Sequence, residues 1–146
     1  MNKPIEEYQI IQKASLQNLR VLRNFIERSC RHNAVRDDAG SDLKLAVDEA
    51  CTNIITHGFE NIEPGFIKMT FHQYPDRIVV TIIDNGCPFD PEEVPAPDVD
   101  AHWKHRNVGG LGLFLIKELV DEMRYQGNSE TGNRMILTKR LSSKSK

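Results

Sequence analysis

The sequence predicts an α+β fold, a two-layer α/β sandwich in which a mixed, mostly antiparallel sheet carries helices on one face. Three observations carry this prediction. Residues 67–72 and 78–83 are strand-like segments on either side of a turn at Tyr74, Pro75, Asp76 and Arg77, and so form a hairpin. Three stretches repeat apolar residues at the helical period. Two further strand-like segments close the chain after the last of these helices. Helices interspersed with hairpin-linked strands fit a sheet covered on one face.

In order along the chain, residues 6–13 mix Tyr8, Ile10 and Ile11 with polar neighbours and read as the first strand. Ser15 is placed to cap the helix that follows. Leu16, Leu19, Leu22, Phe25, Ile26 and Ser29 keep the helical period to about His32. Asp37, Asp38, Ala39, Gly40 and Ser41 then break the pattern. A second helix is predicted over 42–57, with Leu43, Val47, Ala50 and Ile54 as its buried stripe. Gly58 suits the left-handed position just past its end. Asp42, Glu49, Asn53 and Thr56 fall on the other side of this helix, which can therefore pack with one face and work with the other. Ile67, Met69 and Phe71 alternate with Lys68, Thr70 and His72, as a half-buried strand requires. Residues 78–83 are β-branched and almost wholly apolar, which suits a central strand. From 86 to 108 there is no period, and Pro88, Pro91, Pro95 and Pro97 intervene; such a loop is a lid, a binding segment or disordered. Leu113, Ile116, Leu119 and Val120 mark a third helix that starts at a glycine cluster. Residues 123–126 and 134–141 are the final strands, joined across 127–133.

A chain of 146 residues supports one compact domain, here 1–141, and leaves the Ser/Lys tail 142–146 as a frayed end. The formal charge of -2 and a pI near 6.2 do not suggest a nucleic-acid binder. No stretch is long and apolar enough to span a bilayer, and the first residues lack a signal-peptide plan, so a cytoplasmic protein is expected. Cys30, Cys51 and Cys87 are odd in number and far apart, which argues against a disulfide framework and for reduced thiols. His102 and His105 have a metal-ligand spacing, but they lie in the Pro-rich stretch without a nearby Cys or third His, and a solvated loop is the better reading.

Three short segments carry chemistry. Glu49 and Asn53 stand four apart in Glu49-Ala50-Cys51-Thr52-Asn53, so their side chains meet on one helical face. An asparagine offers a neutral oxygen to Mg²⁺, which takes few protein ligands. A carboxylate one turn earlier can take a proton from an attacking hydroxyl or water. Asp84 closes an apolar strand and is followed by Asn85 and Gly86; an acid there can accept a hydrogen bond from an exocyclic amine such as that of adenine. Gly109, Gly110, Leu111 and Gly112 precede an apolar helix, where glycines let backbone N–H groups approach phosphate oxygens. Alone, the first segment reads as a polar face and the second as a turn. Together, each at the edge of a helix or strand, they describe a pocket for a nucleoside triphosphate. No G-x-x-x-x-G-K-[ST] exists, which excludes a P-loop. The glycine cluster follows a non-strand segment, which excludes a Rossmann fingerprint.

On these motifs the chain resembles the GHKL (Bergerat) ATP-binding fold, and within it the bacterial anti-sigma-factor serine/threonine protein kinases. The resemblance runs from the first strand to Leu141. The N-box corresponds to residues 48–53 and ends at His57 and Gly58; the adenine box corresponds to 84–86 and the glycine box to 109–116. The segment between the last two would be the ATP lid. The resemblance implies ATP and Mg²⁺ as cofactors, Glu49 as general base and Asn53 as Mg²⁺ ligand. It also implies Asp84 at the adenine amine with Gly86 making room, and Gly109, Gly110, Leu111 and Gly112 along the triphosphate. Related kinases often carry an Arg close before the glycine box; here Val108 intervenes and Arg106 is the nearest. A serine hydroxyl needs a base where an imidazole does not, and Glu49 supplies one. The implied function is phosphorylation of a small anti-anti-sigma (STAS-type) partner, with sequestration of a sigma factor as a second activity. The family often forms homodimers. The alternatives are a non-catalytic ATP-dependent partner-binding module of the same fold and a simple ATP hydrolase.

Overall fold

The computed structural model describes residues 3–33, 35–59, 64–88, 110–128 and 130–141. Strand β1 (Glu6–Lys13) leads through a 3₁₀ turn (Leu16–Asn18) into α1 (Leu19–His32) and α2 (Asp37–His57). The hairpin β2 (Phe66–Gln73) and β3 (Arg77–Asp84) follows, then α3 (Gly110–Leu119), β4 (Glu122–Gln126) and β5 (Asn133–Arg140). The five strands form one sheet in the order β1-β2-β3-β5-β4, and every pairing is antiparallel. The apolar β3 is central, as its composition predicts.

Alternation decides which face is covered. Ile67, Met69 and Phe71 of β2, Ile78, Val80 and Ile82 of β3, and Met135 and Leu137 of β5 all point to one side and are buried. Leu22 and Ile26 of α1, Leu43, Val47, Ala50 and Ile54 of α2, and Leu113 and Ile116 of α3 close over them. These two layers share one core. The opposite sheet face carries the polar or partly exposed partners, such as Lys68, His72 and Thr81.

Three local expectations are corrected. Ser15 begins the 3₁₀ turn without a side-chain cap, and α1 starts only at Leu19. The helix predicted from Asp42 begins five residues earlier, at Asp37. There the small residues Ala39 and Gly40 are buried, and a side chain at Gly40 would stand 3.8 Å from Val35 and 3.9 Å from Cys30. Close packing on α1 therefore overrides the weak helix propensity of the segment. Gly58 is right-handed (φ -88°, ψ -16°), not left-handed. A Cβ there would stand 2.7 Å from the Ile54 carbonyl, and its own carbonyl accepts the Cys87 N–H at 2.6 Å; the close approach is made by Gly86, where a Cβ would stand 2.6 Å from that same Gly58 oxygen.

Candidate functional site

Asp84 is the last residue of β3 and is 4% exposed. Its Oδ1 accepts the Gly86 N–H at 2.8 Å and the Asn133 Nδ2 at 2.9 Å. Burial pushes its pKa up, while the bonds from Asn133 and Gly86 pull it back. Both recorded bonds fall on one oxygen. The neighbouring Asn85 anchors the turn to β2: its Oδ1 accepts the Phe66 N–H and its Nδ2 donates to the Pro64 carbonyl, both at 2.9 Å. The turn at 84–86 is thus held from two sides, and Gly58 joins it to the end of α2.

Asn133 is the residue of the candidate site that the sequence did not reveal. It pairs with Asp84 in the β3–β5 register and is 1% exposed. Besides Asp84, its Nδ2 donates to the Gly86 carbonyl at 2.8 Å, and its Oδ1 accepts the Asn128 N–H at 3.0 Å. Gly132 before it holds φ +102°, a conformation that favours glycine, and a Cβ there would stand 3.2 Å from the Asp84 carbonyl. The available signal was an asparagine opening an alternating strand, which the register sets opposite the acid closing another.

On α2, Glu49 and Asn53 are half-buried, one turn apart. Desolvation, then the adjacent Asp48, raises the pKa of Glu49 above the ordinary carboxylate range. Asp48 is itself held by Arg23, whose Nε and Nη2 donate to its Oδ1 at 2.9 and 2.7 Å. Asn53 Nδ2 is sealed from solvent and has no hydrogen-bond partner. A group left in that condition costs about 1–3 kcal/mol, which binding sites tolerate when a ligand completes them. Asp42, on the same side of the helix by sequence, is engaged elsewhere: Lys139 Nζ donates to its Oδ2 at 3.0 Å and to the Leu119 carbonyl at 2.7 Å.

Gly110, Leu111 and Gly112 form the first turn of α3, where backbone N–H groups have no intrahelical acceptor. Such a turn suits an anion. Gly109, the expected lid over 89–108, Arg106, His102 and His105, and the tail 142–146 lie outside the described residues. Among the described residues, no group of three or more His, Cys, Asp and Glu converges as a metal cage. One amide oxygen beside one carboxylate instead fits Mg²⁺ bound mainly through phosphates and water.

Glu49 and Asn53 on α2, Asp84 at the end of β3 and the first turn of α3 make up the candidate site, on a fold of the ATPase class. The pattern of the histidine kinase-like ATPase domain matches residues 13–139, and the chain belongs to that family. Among curated proteins it is similar to serine-protein kinase RsbW of Listeria innocua, 37% identical over 111 residues that cover 73% of this chain and 69% of that one. Serine-protein kinase RsbW of Bacillus subtilis is 36% identical over 108 residues, covering 71% and 66%. Among solved structures, the RsbU and RsbW domains of Rv1364c from Mycobacterium tuberculosis share the fold, with a TM-score of 0.67 at 17% identity, over 94% of this chain and 32% of that one. A histidine kinase domain from Erythrobacter litoralis aligns with a TM-score of 0.54 at 20% identity, over 84% and 61%. Among the described residues no helix is long and apolar enough to cross a membrane.

Proposed function

We propose that the protein is an ATP-dependent serine/threonine protein kinase and regulatory switch of the bacterial cytoplasm. Its substrate would be a small anti-anti-sigma (STAS-type) protein, and a sigma factor would be the second partner it holds. The names of the curated relatives support the kinase assignment. The observation that carries it is Glu49, a half-buried carboxylate of raised pKa, one helical turn before Asn53. A serine hydroxyl is a weak nucleophile until a base takes its proton, and a carboxylate of raised pKa is a better base than an ordinary one.

In this reading Asp84 accepts the adenine amine, and Asn133 and Gly86 fix the carboxylate for that task. The first turn of α3 receives the phosphates on its free N–H groups. Asn53 would supply the protein oxygen for Mg²⁺, which neutralises phosphate charge when bound. Glu49 takes the hydroxyl proton as the γ-phosphoryl group passes to the acceptor oxygen. Positioning and electrostatics account for most of the acceleration in such transfers.

The test uses γ-labelled ATP and Mg²⁺, the purified protein or its Glu49→Gln variant, and lysate of the source organism containing STAS proteins. The expected result is label on a serine or threonine of a small protein with the wild type alone. Phosphate release without a labelled protein would instead identify an ATP hydrolase. ATP binding without transfer or release would identify a partner-binding module.

A further inference from the structure

We propose that the open face of the sheet docks an amphipathic helix of a partner protein, one whose apolar stripe is flanked by acidic side chains. The helices α1, α2 and α3 all close over the other face. Alternation turns Val79, Thr81 and Ile83 of β3 to the open side, and the register sets Ile136 of β5 beside Thr81. These four are half-buried and form a largely apolar floor, about 13 Å long from Val79 to Ile83. Ile11 and Phe66, 59% and 45% exposed, carry the apolar surface on to β1 and the start of β2. A continuous apolar surface with a polar rim marks an interaction site.

Cations flank this floor. Lys68 and Arg134 are the cross-strand neighbours of Ile83, two strand spacings or about 10 Å apart. Arg77 and Arg140 face each other at the opposite end. Arg77 is held by Asp76 at 2.8 Å, whereas Lys68, Arg134 and Arg140 make no ion pair within the described residues. Lys13, beside Phe66, makes none there either. The two acids on the strands of this face lie on the outer strands, in the row of Val79. Glu122 is paired with Arg124 at 2.8 Å, and Glu7 stands 3.5 Å from His72. The rows through Thr81 and Ile83 hold no acid. The floor thus lies among unpaired cations, on a chain whose formal charge is -2.

The ladder and the charge together select the occupant. β2, β3 and β5 each have a neighbour on both sides, so their backbone groups are spent within the sheet. An occupant of this face must satisfy its own backbone, as a helix does. The gap between Lys68 and Arg134 matches a helix diameter, and the length of the floor takes about nine helical residues. Carboxylates along both sides of the apolar stripe would then meet the cations. A second copy would set unpaired cations against each other. A bilayer surface is flat and would meet the lysine and arginine heads ahead of the half-buried floor. Single-stranded nucleic acid stacks its bases on aromatic rings, and this floor has none. Asp84 follows Ile83 but turns to the helix side, so docking leaves the proposed nucleotide site uncovered.

The experiment titrates the full ¹⁵N-labelled chain with two synthetic helical peptides of about 18 residues, which share a leucine stripe and carry either Glu or Lys beside it. The expected result is saturable shifts at the amides of Lys68, Val79, Ile83 and Ile136 with the Glu peptide alone. Arg134→Glu, at an exposed position, should weaken that binding by about tenfold while the spectrum keeps its native dispersion. Ile136→Thr keeps a β-branched residue in the strand and should weaken it as well; if that variant unfolds, Arg134→Glu decides alone. No shifts, equal response to both peptides, or full affinity in Arg134→Glu would overturn the proposal. So would the same shifts appearing on concentrating the protein alone, which would assign the face to a second copy. Tighter binding of oligouridine or of phosphatidylglycerol vesicles than of the Glu peptide would overturn it too.

Discussion

Asp84 and Asn53 stand on different elements of the candidate site, and their surroundings differ in kind. Around Asp84 the bonds lie within the chain: Gly86 and Asn133 donate to its Oδ1, Asn133 is fixed by Asn128, and Gly58 ties the turn to α2. Around Asn53 a buried amide nitrogen has no partner, and the neighbouring Glu49 carries a pKa raised by desolvation. The first arrangement belongs to folding, because its bonds form within the chain. The second leaves a buried N–H donor unpaired in the free protein, a cost that an acceptor oxygen of a bound group would relieve. A substitution should therefore affect stability on the Asp84 side and chemistry on the α2 side.

The largest effect is expected at Glu49. Glu49→Gln should lower phosphoryl transfer by about 10²-fold or more, with nucleotide affinity and unfolding midpoint unchanged. Only the deprotonated carboxylate acts as a base, so the acid limb of the wild-type pH–rate profile should lie above the ordinary glutamate range and vanish in the variant. A variant that loses stability along with rate would break the separation between the two sides. Asn133→Ala comes next and acts in the opposite sense. It removes two donors and one acceptor from a fully buried network, and urea unfolding should show a loss of about 1–3 kcal/mol. An unchanged midpoint would show that the network around Asp84 is not structural.

The same division explains what the sequence made legible. Periodicity and composition located the strands and α-helices of the described residues, because the sheet and helices bury one face each, but the 3₁₀ turn at Leu16–Asn18 was read as the start of α1. It misplaced the start of α2, because Ala39 and Gly40 are helical and buried in a stretch whose composition reads as a breaker, and burial is a tertiary effect with no local signature. It gave Gly58 a left-handed conformation that the backbone does not have, and it did not reveal that Gly86, 28 positions away in the chain, closes on the Gly58 carbonyl. Glu49, Asn53 and Asp84 were visible because they sit in short motifs. Asn133 was hidden because its partner lies on another strand, and the pairing register alone reveals it.

Asp84→Asn tests where the two sides meet. The amide oxygen can still accept from Gly86 and Asn133, so both bonds survive, while the exocyclic amine of adenine loses an anionic acceptor. Preference for adenine over guanine nucleotides should fall by about tenfold in competition binding. Stability should move the other way. Burial raises the native pKa of Asp84 above its unfolded value, so the native state holds the proton more tightly. Its contribution is then present in acid and is lost as pH rises through the native value. The asparagine variant lacks that loss and should gain on the wild type from acid to neutral pH; a gap that closes as pH rises would reverse the assignment.

The smallest effect is expected at Asn53, and it is the most discriminating. Asn53→Ala removes an amide whose nitrogen has no partner and places a better helix former within α2. The free protein should gain stability rather than lose it, because the unpaired donor and its cost are removed together. Nucleotide binding should lose its dependence on added Mg²⁺, read by titrating ATP with the metal and with chelator. A loss of stability as large as that of Asn133→Ala would place Asn53 among the structural residues, and α2 would then have no face left unsatisfied by the fold itself.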